Sequence, residues 1–114
     1  MLVRFTSQAT ANLLMFDDVA RSLLKVVGKS PLQRGVITVA EMQPALEHLR
    51  AMAVQEKRLG DVNEALSVPE VGIEPHELIG LSIRAQPFIK MLEQALREKK
   101  EIVWEAPKDF PAQK

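Results

Sequence analysis

Two apolar runs with a polar stretch between them open the chain at residues 2–18, which read "LVRFTSQATANLLMFDD". In the first run, Val3 and Phe5 alternate with polar residues, which is typical of a strand with one buried face. The second run, Leu13–Phe16, is apolar at every position, as in a strand at the centre of a sheet. These runs predict a β-hairpin with its loop at about residues 8–11.

The pattern of an amphipathic helix follows the hairpin directly. Asp17 and Asp18 place acidic side chains at the helix start, where the helix dipole favours them. One apolar stripe recurs at helical spacing: Val19, Leu23, Val26 and Val27. Gly28 and Pro31 then end the helix, because glycine readily adopts the left-handed closing conformation and proline cannot extend a helix.

Two further helices are predicted. Residues Gly35–Ile37, before the first of them, form either a short third strand or an extended lead-in. Thr38 and Glu41 match a capping box at the start of the second helix, which extends to about Leu59. The third helix covers residues 83–99, where Ser82 is a candidate cap. Its inward side carries five apolar residues: Phe88, Met91, Leu92, Ala95 and Leu96.

Each of these two helices contains a Gln-Pro pair, with the prolines at Pro44 and Pro87. A proline deep inside a helix removes a hydrogen bond and costs about 3 kcal/mol. We therefore expect a separate short turn before each helix body. Each body would start one to three residues before its proline.

The elements together predict a single α+β domain at residues 1–106. Its last strand, residues 101–105, places Ile102 and Trp104 on one buried face. The expected architecture has two layers, a small mixed or antiparallel sheet of three to four strands against about three helices. The sheet would combine the N-terminal hairpin with the C-terminal strand.

Two segments are expected to pack loosely. Residues 60–80 carry five acidic residues and no lysine or arginine, which favours a mobile acidic loop. Such a loop is either a solvated linker or a functional segment. Residues 107–114 contain two prolines and are expected to form a loose tail.

Composition narrows the classes of partner. Fifteen basic and fifteen acidic residues give no net attraction to nucleic acid or anionic lipid, and aromatic residues make up only 4% of the chain. No apolar run approaches the roughly 18 residues that span a bilayer. The N-terminus lacks the pattern of a signal peptide. We therefore expect a cytoplasmic protein with neither a nucleic-acid partner nor a membrane partner.

Recognisable sites of chemistry are equally scarce. The absence of cysteine excludes disulfides, thiolate catalysis and sulfur-ligated zinc. Residues 28–30 resemble the end of a phosphate-binding loop, but the upstream glycine is missing. His76 lies among acidic residues, whereas a metal site needs three or four converging ligands. We expect no catalytic residue, no metal and no cofactor, and we favour a protein that is not an enzyme.

One face of the predicted sheet would lack cover, since the helices pack on the other. Leu2, Leu14 and Phe16 are the candidate exposed residues, with Leu13 and Met15 as the alternative to the latter two. An exposed apolar sheet face usually marks a partner, and a symmetric homodimer is the commonest answer. We therefore predict a small interaction or accessory protein that self-associates through this face.

The competing hypothesis is a small-molecule-binding protein, or an unrecognised enzyme, with its site between the 60–80 loop and the sheet edge. Arg4, Arg84 and His76 are its candidate ligand-binding residues. Arginine presents a rigid fork to carboxylate or phosphate groups. The residues themselves do not indicate which ligand would bind.

Four segments resemble a known family: "RFTSQAT" at 4–10, "LLKVVGK" at 23–29, "RAQPFIKMLEQA" at 84–95 and "IVWE" at 102–105. They are similar to a family of short bacterial proteins catalogued as domain of unknown function 1840, and the similarity extends to about Glu105. The resemblance implies an α+β domain with helices against a small sheet. It implies no activity and assigns no site residue.

Overall fold

The computed structural model describes residues 1–61 and 80–110. Its elements in chain order are β1 (Leu2–Ser7), β2 (Thr10–Phe16), α1 (Asp17–Val26), β3 (Arg34–Ile37), α2 (Val39–Asp61), α3 (Leu81–Arg84), α4 (Gln86–Glu98) and β4 (Ile102–Glu105). Within these ranges the strands form one antiparallel sheet in the order β2-β1-β4-β3. Helices cover one face of it, so the predicted α+β class is confirmed.

β1 and β2 form the predicted hairpin, with a tighter turn than expected. Ser7 pairs with Thr10, so the turn has two residues and β2 begins earlier than the apolar run. The register shifts between Phe5 and Ser7, which marks a bulge. On the helix-covered face of β1, Val3 and Phe5 are fully buried, as their alternation predicted.

β2 lies at an edge of the sheet, and the central position predicted from its apolar run is wrong. Among the described strands it pairs only with β1, and β4 takes the place on the other side of β1. The error has a physical cause. An unbroken apolar run indicates contact on both faces, but it does not specify which strands become lateral neighbours.

α1 begins and ends where its sequence signals predicted. Gly28 adopts the left-handed conformation, with φ of 84°. Its N–H donates to the Lys25 carbonyl at 3.0 Å, and the Lys29 N–H donates to the Leu24 carbonyl at 2.8 Å. These two bonds satisfy carbonyls at the end of the helix and turn the chain toward β3.

Glu41 ties the start of α2 to the end of α1. One carboxylate oxygen accepts the Thr38 N–H at 2.9 Å, which is the returning half of the predicted capping box. The other oxygen lies 3.0 Å from Lys29 Nζ. The hydrogen bonds from Thr38 and then Lys29 hold the pKa of Glu41 below its ordinary value.

The two prolines occupy different helical environments. Pro87 is the second residue of α4, after the separate turn α3, as predicted. Pro44 lies inside α2, which runs without interruption from Val39, so the break predicted before it is wrong. Met42 and Leu46, on either side of this proline, are buried. Their packing offsets the single backbone hydrogen bond that the proline removes.

The core lies between the helices and the covered face of the sheet. The Phe5 ring lies 5.3 Å from that of Phe88 on α4 and 6.5 Å from that of Trp104 on β4, measured between centroids. A Cβ atom added at Gly35 would lie 2.2 Å from the Trp104 ring. The Trp104 Nε1–H donates to the Leu32 carbonyl at 2.8 Å. Gly35 therefore makes room for a buried indole whose polar atom is satisfied.

A carboxylate from α2, rather than the predicted Ser82 side chain, organises the start of α3. Glu56 accepts the backbone N–H groups of Gly80 at 2.5 Å and Ser82 at 3.0 Å. Burial alone would raise the pKa of Glu56, but the bonds from Ser82 and Gly80 outweigh it and lower the pKa. Local sequence could not show this contact, because it joins residues far apart in the chain.

Parts of both segments expected to be loose lie outside the described residues, namely 62–79 and 111–114. Of the remaining tail, Phe110 is half-buried and packs against the core. Within the described ranges, no helix combines the length and the apolar character needed to cross a membrane.

Candidate functional site

The side of the sheet away from the helices is called here the open face. The alternation of the strands turns these residues toward it: Leu2, Arg4, Thr6, Leu14, Phe16, Arg34, Val36, Val103 and Glu105. Because strand pairing is in register, they form rows across the sheet. The rows differ in chemical character.

The three predicted interface residues lie together at the β1–β2 end of the open face. Leu2 is opposite Phe16, and Leu14 lies two residues before Phe16 on β2. Leu2 is 46% exposed, Leu14 is 55% exposed and Phe16 is 65% exposed. The alternative pair, Leu13 and Met15, is half-buried against the core. We call Leu2, Leu14 and Phe16 the apolar patch.

A charged row crosses the open face next to the apolar patch. Arg4 is opposite Glu105, which in turn is opposite Arg34. Arg34 Nε lies 3.3 Å from Glu105 Oε2, and both side chains are exposed, so the pair contributes less than about 1 kcal/mol. The Arg4 side chain forms no hydrogen bond or ion pair with another described residue. This row therefore contains two cations and one anion. Val36 and Val103 lie in the next row.

The two candidate ligand-binding arginines line different concavities. Arg4 and Leu14 belong to one of about 370 Å³ on the open face. Arg84 and Phe16 belong to another, of about 710 Å³, at the junction of β2 and α1. His76, the third candidate, lies outside the described residues. The described residues thus do not bring the arginines into one shared concavity.

Among the described residues, each carboxylate with a lowered pKa accepts hydrogen bonds that explain the shift and have a structural role. Asp17 lies 2.9 Å from the Met1 amino group, whose hydrogen bond lowers the pKa of Asp17. Glu41 and Glu56 accept backbone N–H groups near helix starts, as described above. Among the residues that the structure describes, no group of three or more His, Cys, Asp or Glu could hold a metal ion. The open face, as far as the structure describes it, therefore presents the apolar patch next to the charged row.

Sequence reasoning missed the ion pair of Arg34 and Glu105. Its formation depends on the register between β3 and β4, which lie far apart in the chain. One signal was available, since Glu105 follows the buried Trp104 and must face the opposite side of its strand. The partner on β3 could not be deduced from that alternation.

Fold and surface together define a small two-layer α+β structure in which the described residues cover only one face of the sheet. The sequence matches the family described as Domain of unknown function (DUF1840) over residues 1–104. The chain belongs to this family, and the resemblance noted in the sequence is confirmed. No curated protein and no solved structure gives a significant match to the chain.

Proposed function

We propose that the chain is a small cytoplasmic interaction protein that self-associates through the open face of its sheet and has no chemistry of its own. The apolar patch is the observation that carries this proposal. Full burial of one large apolar side chain contributes about 1.5–3 kcal/mol. Single exposed apolar residues are ordinary, whereas a contiguous group of them is typical of a contact surface.

A second copy of the chain is the simplest partner for this patch. Each copy brings the same three residues, so a two-fold axis beside the patch makes the contact self-complementary. The ligand-binding alternative has less support, because Arg4 and Arg84 line separate concavities. We therefore retain self-association as the one proposed function.

Native mass spectrometry and sedimentation velocity over a range of concentrations test the proposal. The wild-type chain is expected to dimerise. Phe16→Glu should raise the dissociation constant roughly thirtyfold, because the loss of a central apolar contact costs about 2 kcal/mol. Val54→Glu is the matched control, since Val54 is 52% exposed but lies on α2.

The control should dimerise like the wild type, and circular dichroism should show that both variants are folded. A wild-type monomer at every concentration would contradict the proposal. Equal weakening by the two substitutions would also contradict it. A monomer that carries a reproducible additional mass would favour the ligand-binding alternative instead.

A further inference from the structure

We propose that two copies join edge to edge, with β2 of one copy pairing antiparallel to β2 of the other. Two four-stranded sheets would then form one continuous sheet. This inference rests on the proposed self-association and places its contact at the β2 edge of the open face, where Leu14 and Phe16 lie, rather than across the whole face. It also accounts for the apolar run in β2. In the dimer this strand would lie at the centre of the sheet, where such runs are typical.

β2 presents unpaired backbone groups along its outer edge. The Asp17 N–H donates to the Met1 carbonyl at 2.9 Å, so this pair of residues is hydrogen-bonded across the hairpin. Bonded and non-bonded pairs alternate along an antiparallel ladder. Leu14 therefore directs its N–H and C=O groups away from β1, and Phe16 does so with its N–H group. The Phe16 C=O, at the N-cap of α1, accepts the first hydrogen bond of that helix. The other three groups make no bond to another described element, which leaves them free to pair with an added strand.

The two edges of the sheet differ in their protection against such pairing. β3 has four residues and carries an exposed arginine, Arg34. Short length and charge both discourage the addition of a strand. β2 has seven residues, with neither a charged residue nor a proline among them. Within residues 1–61 and 80–110, β2 is therefore the edge less protected against a partner strand.

The charged row disfavours the stacking of two open faces. Stacking would take Arg4 out of water although it has no described partner, and it would also desolvate the exposed pair of Arg34 and Glu105. Burial of uncompensated charge is unfavourable. Edge pairing avoids this cost because Leu14 and Phe16 lie on β2 itself. The two apolar patches would meet across the axis while the charged rows stay hydrated.

Opposite charges at the two ends of β2 favour an antiparallel arrangement. Asp18 follows its C-terminal end, next to Asp17, which is already paired with the Met1 amino group. Lys99 and Lys100 line a concavity together with Glu101 and with Gln8, in the hairpin turn beside its N-terminal end, so the concavity holds two cations and one anion. Neither lysine forms an ion pair with a described residue. A two-fold axis would bring the acidic end of each copy toward the basic end of the other.

Phe16 allows the backbone contribution to be tested apart from the side chain. Its φ of −67° is the value that proline fixes, so proline fits this position and removes the outward N–H. Phe16→Pro and Phe16→Ala both lack the ring, but only the proline variant lacks the donor. Sedimentation velocity should give Phe16→Pro a dissociation constant at least about tenfold above that of Phe16→Ala, because each dimer loses two backbone hydrogen bonds.

Leu14→Pro and Leu14→Ala repeat the comparison at a second outward-facing position, and thermal unfolding identifies any variant that fails to fold. A higher constant for the proline member of each folded pair would support edge pairing. Equal constants within each pair, with a dimeric wild type, would overturn edge pairing and leave self-association intact. A monomeric wild type would overturn both proposals.

Discussion

The two faces of the sheet are built from the same four strands but have different physical roles. Phe5 on the covered face is fully buried against Phe88 and Trp104, whereas Phe16 on the neighbouring strand is 65% exposed on the open face. The covered face therefore holds the interactions that stabilise the fold. The described side chains of the open face are largely exposed, and we expect them to contribute less to folding.

The largest expected contrast is between the two phenylalanines of the hairpin. Phe5→Ala should lower the free energy of unfolding by about 3–5 kcal/mol, because it leaves a cavity among aromatic rings. Phe16→Ala should change it by less than about 0.5 kcal/mol, since the side chain is mostly in water. Urea denaturation at concentrations where the wild type is monomeric measures both values, because dimerisation would add to the apparent stability. Similar losses of unfolding free energy for the two variants would contradict the proposed difference between the two faces.

Gly35 tests how closely the covered face is packed. Gly35→Ala should lower the free energy of unfolding by about 1–3 kcal/mol, because the added methyl group overlaps the Trp104 ring. In a Trp104→Leu background the same substitution should cost less, since the overlapping ring is gone. A double-mutant cycle by urea denaturation measures this difference. Equal costs in both backgrounds would show that the indole is not the reason for the glycine.

Glu56 tests whether stability on the helical side is independent of association. Glu56→Gln should lower the free energy of unfolding by about 1 kcal/mol at neutral pH, as does the loss of a helix cap. Because the folded pKa is lowered, the carboxylate's stabilisation is complete above its ordinary pKa of 4.5 and is lost as the pH falls through the lower folded value. Urea denaturation at several pH values measures this.

The difference between wild type and Glu56→Gln should therefore shrink in acid. Glu47→Gln is the control, because Glu47 is exposed on the same helix. Both variants should dimerise like the wild type. A difference that grows as the pH falls would contradict the assigned role of Glu56.

The smallest effects are expected for the exposed arginines. Arg84→Ala and Arg4→Ala should each change the free energy of unfolding by less than about 0.5 kcal/mol, because both side chains are exposed. Thermal and urea unfolding would measure this. A loss above about 1 kcal/mol for Arg4→Ala would mean that the open face contributes to folding after all.

Much of the local structure could be predicted from residue spacing. The alternation around Phe5, the cap at Gly28 and the turn before Pro87 each depend on neighbours within a few positions. The break predicted before Pro44 failed because packing around that residue, not local propensity alone, keeps α2 continuous. The Glu56 contacts could not be predicted from spacing either, because they join α2 to the start of α3, which comes much later in the chain.

For the candidate site, the sequence identified Leu2, Leu14 and Phe16 as one of two possible exposed sets, since strand alternation places them on a common side. Which side would stay uncovered depended on where the helices packed. The edge position of β2 depended on β4, whose Trp104 pairs with Phe5 from the far end of the chain. Residue spacing encodes local geometry, whereas lateral strand order arises from long-range pairing that spacing does not contain.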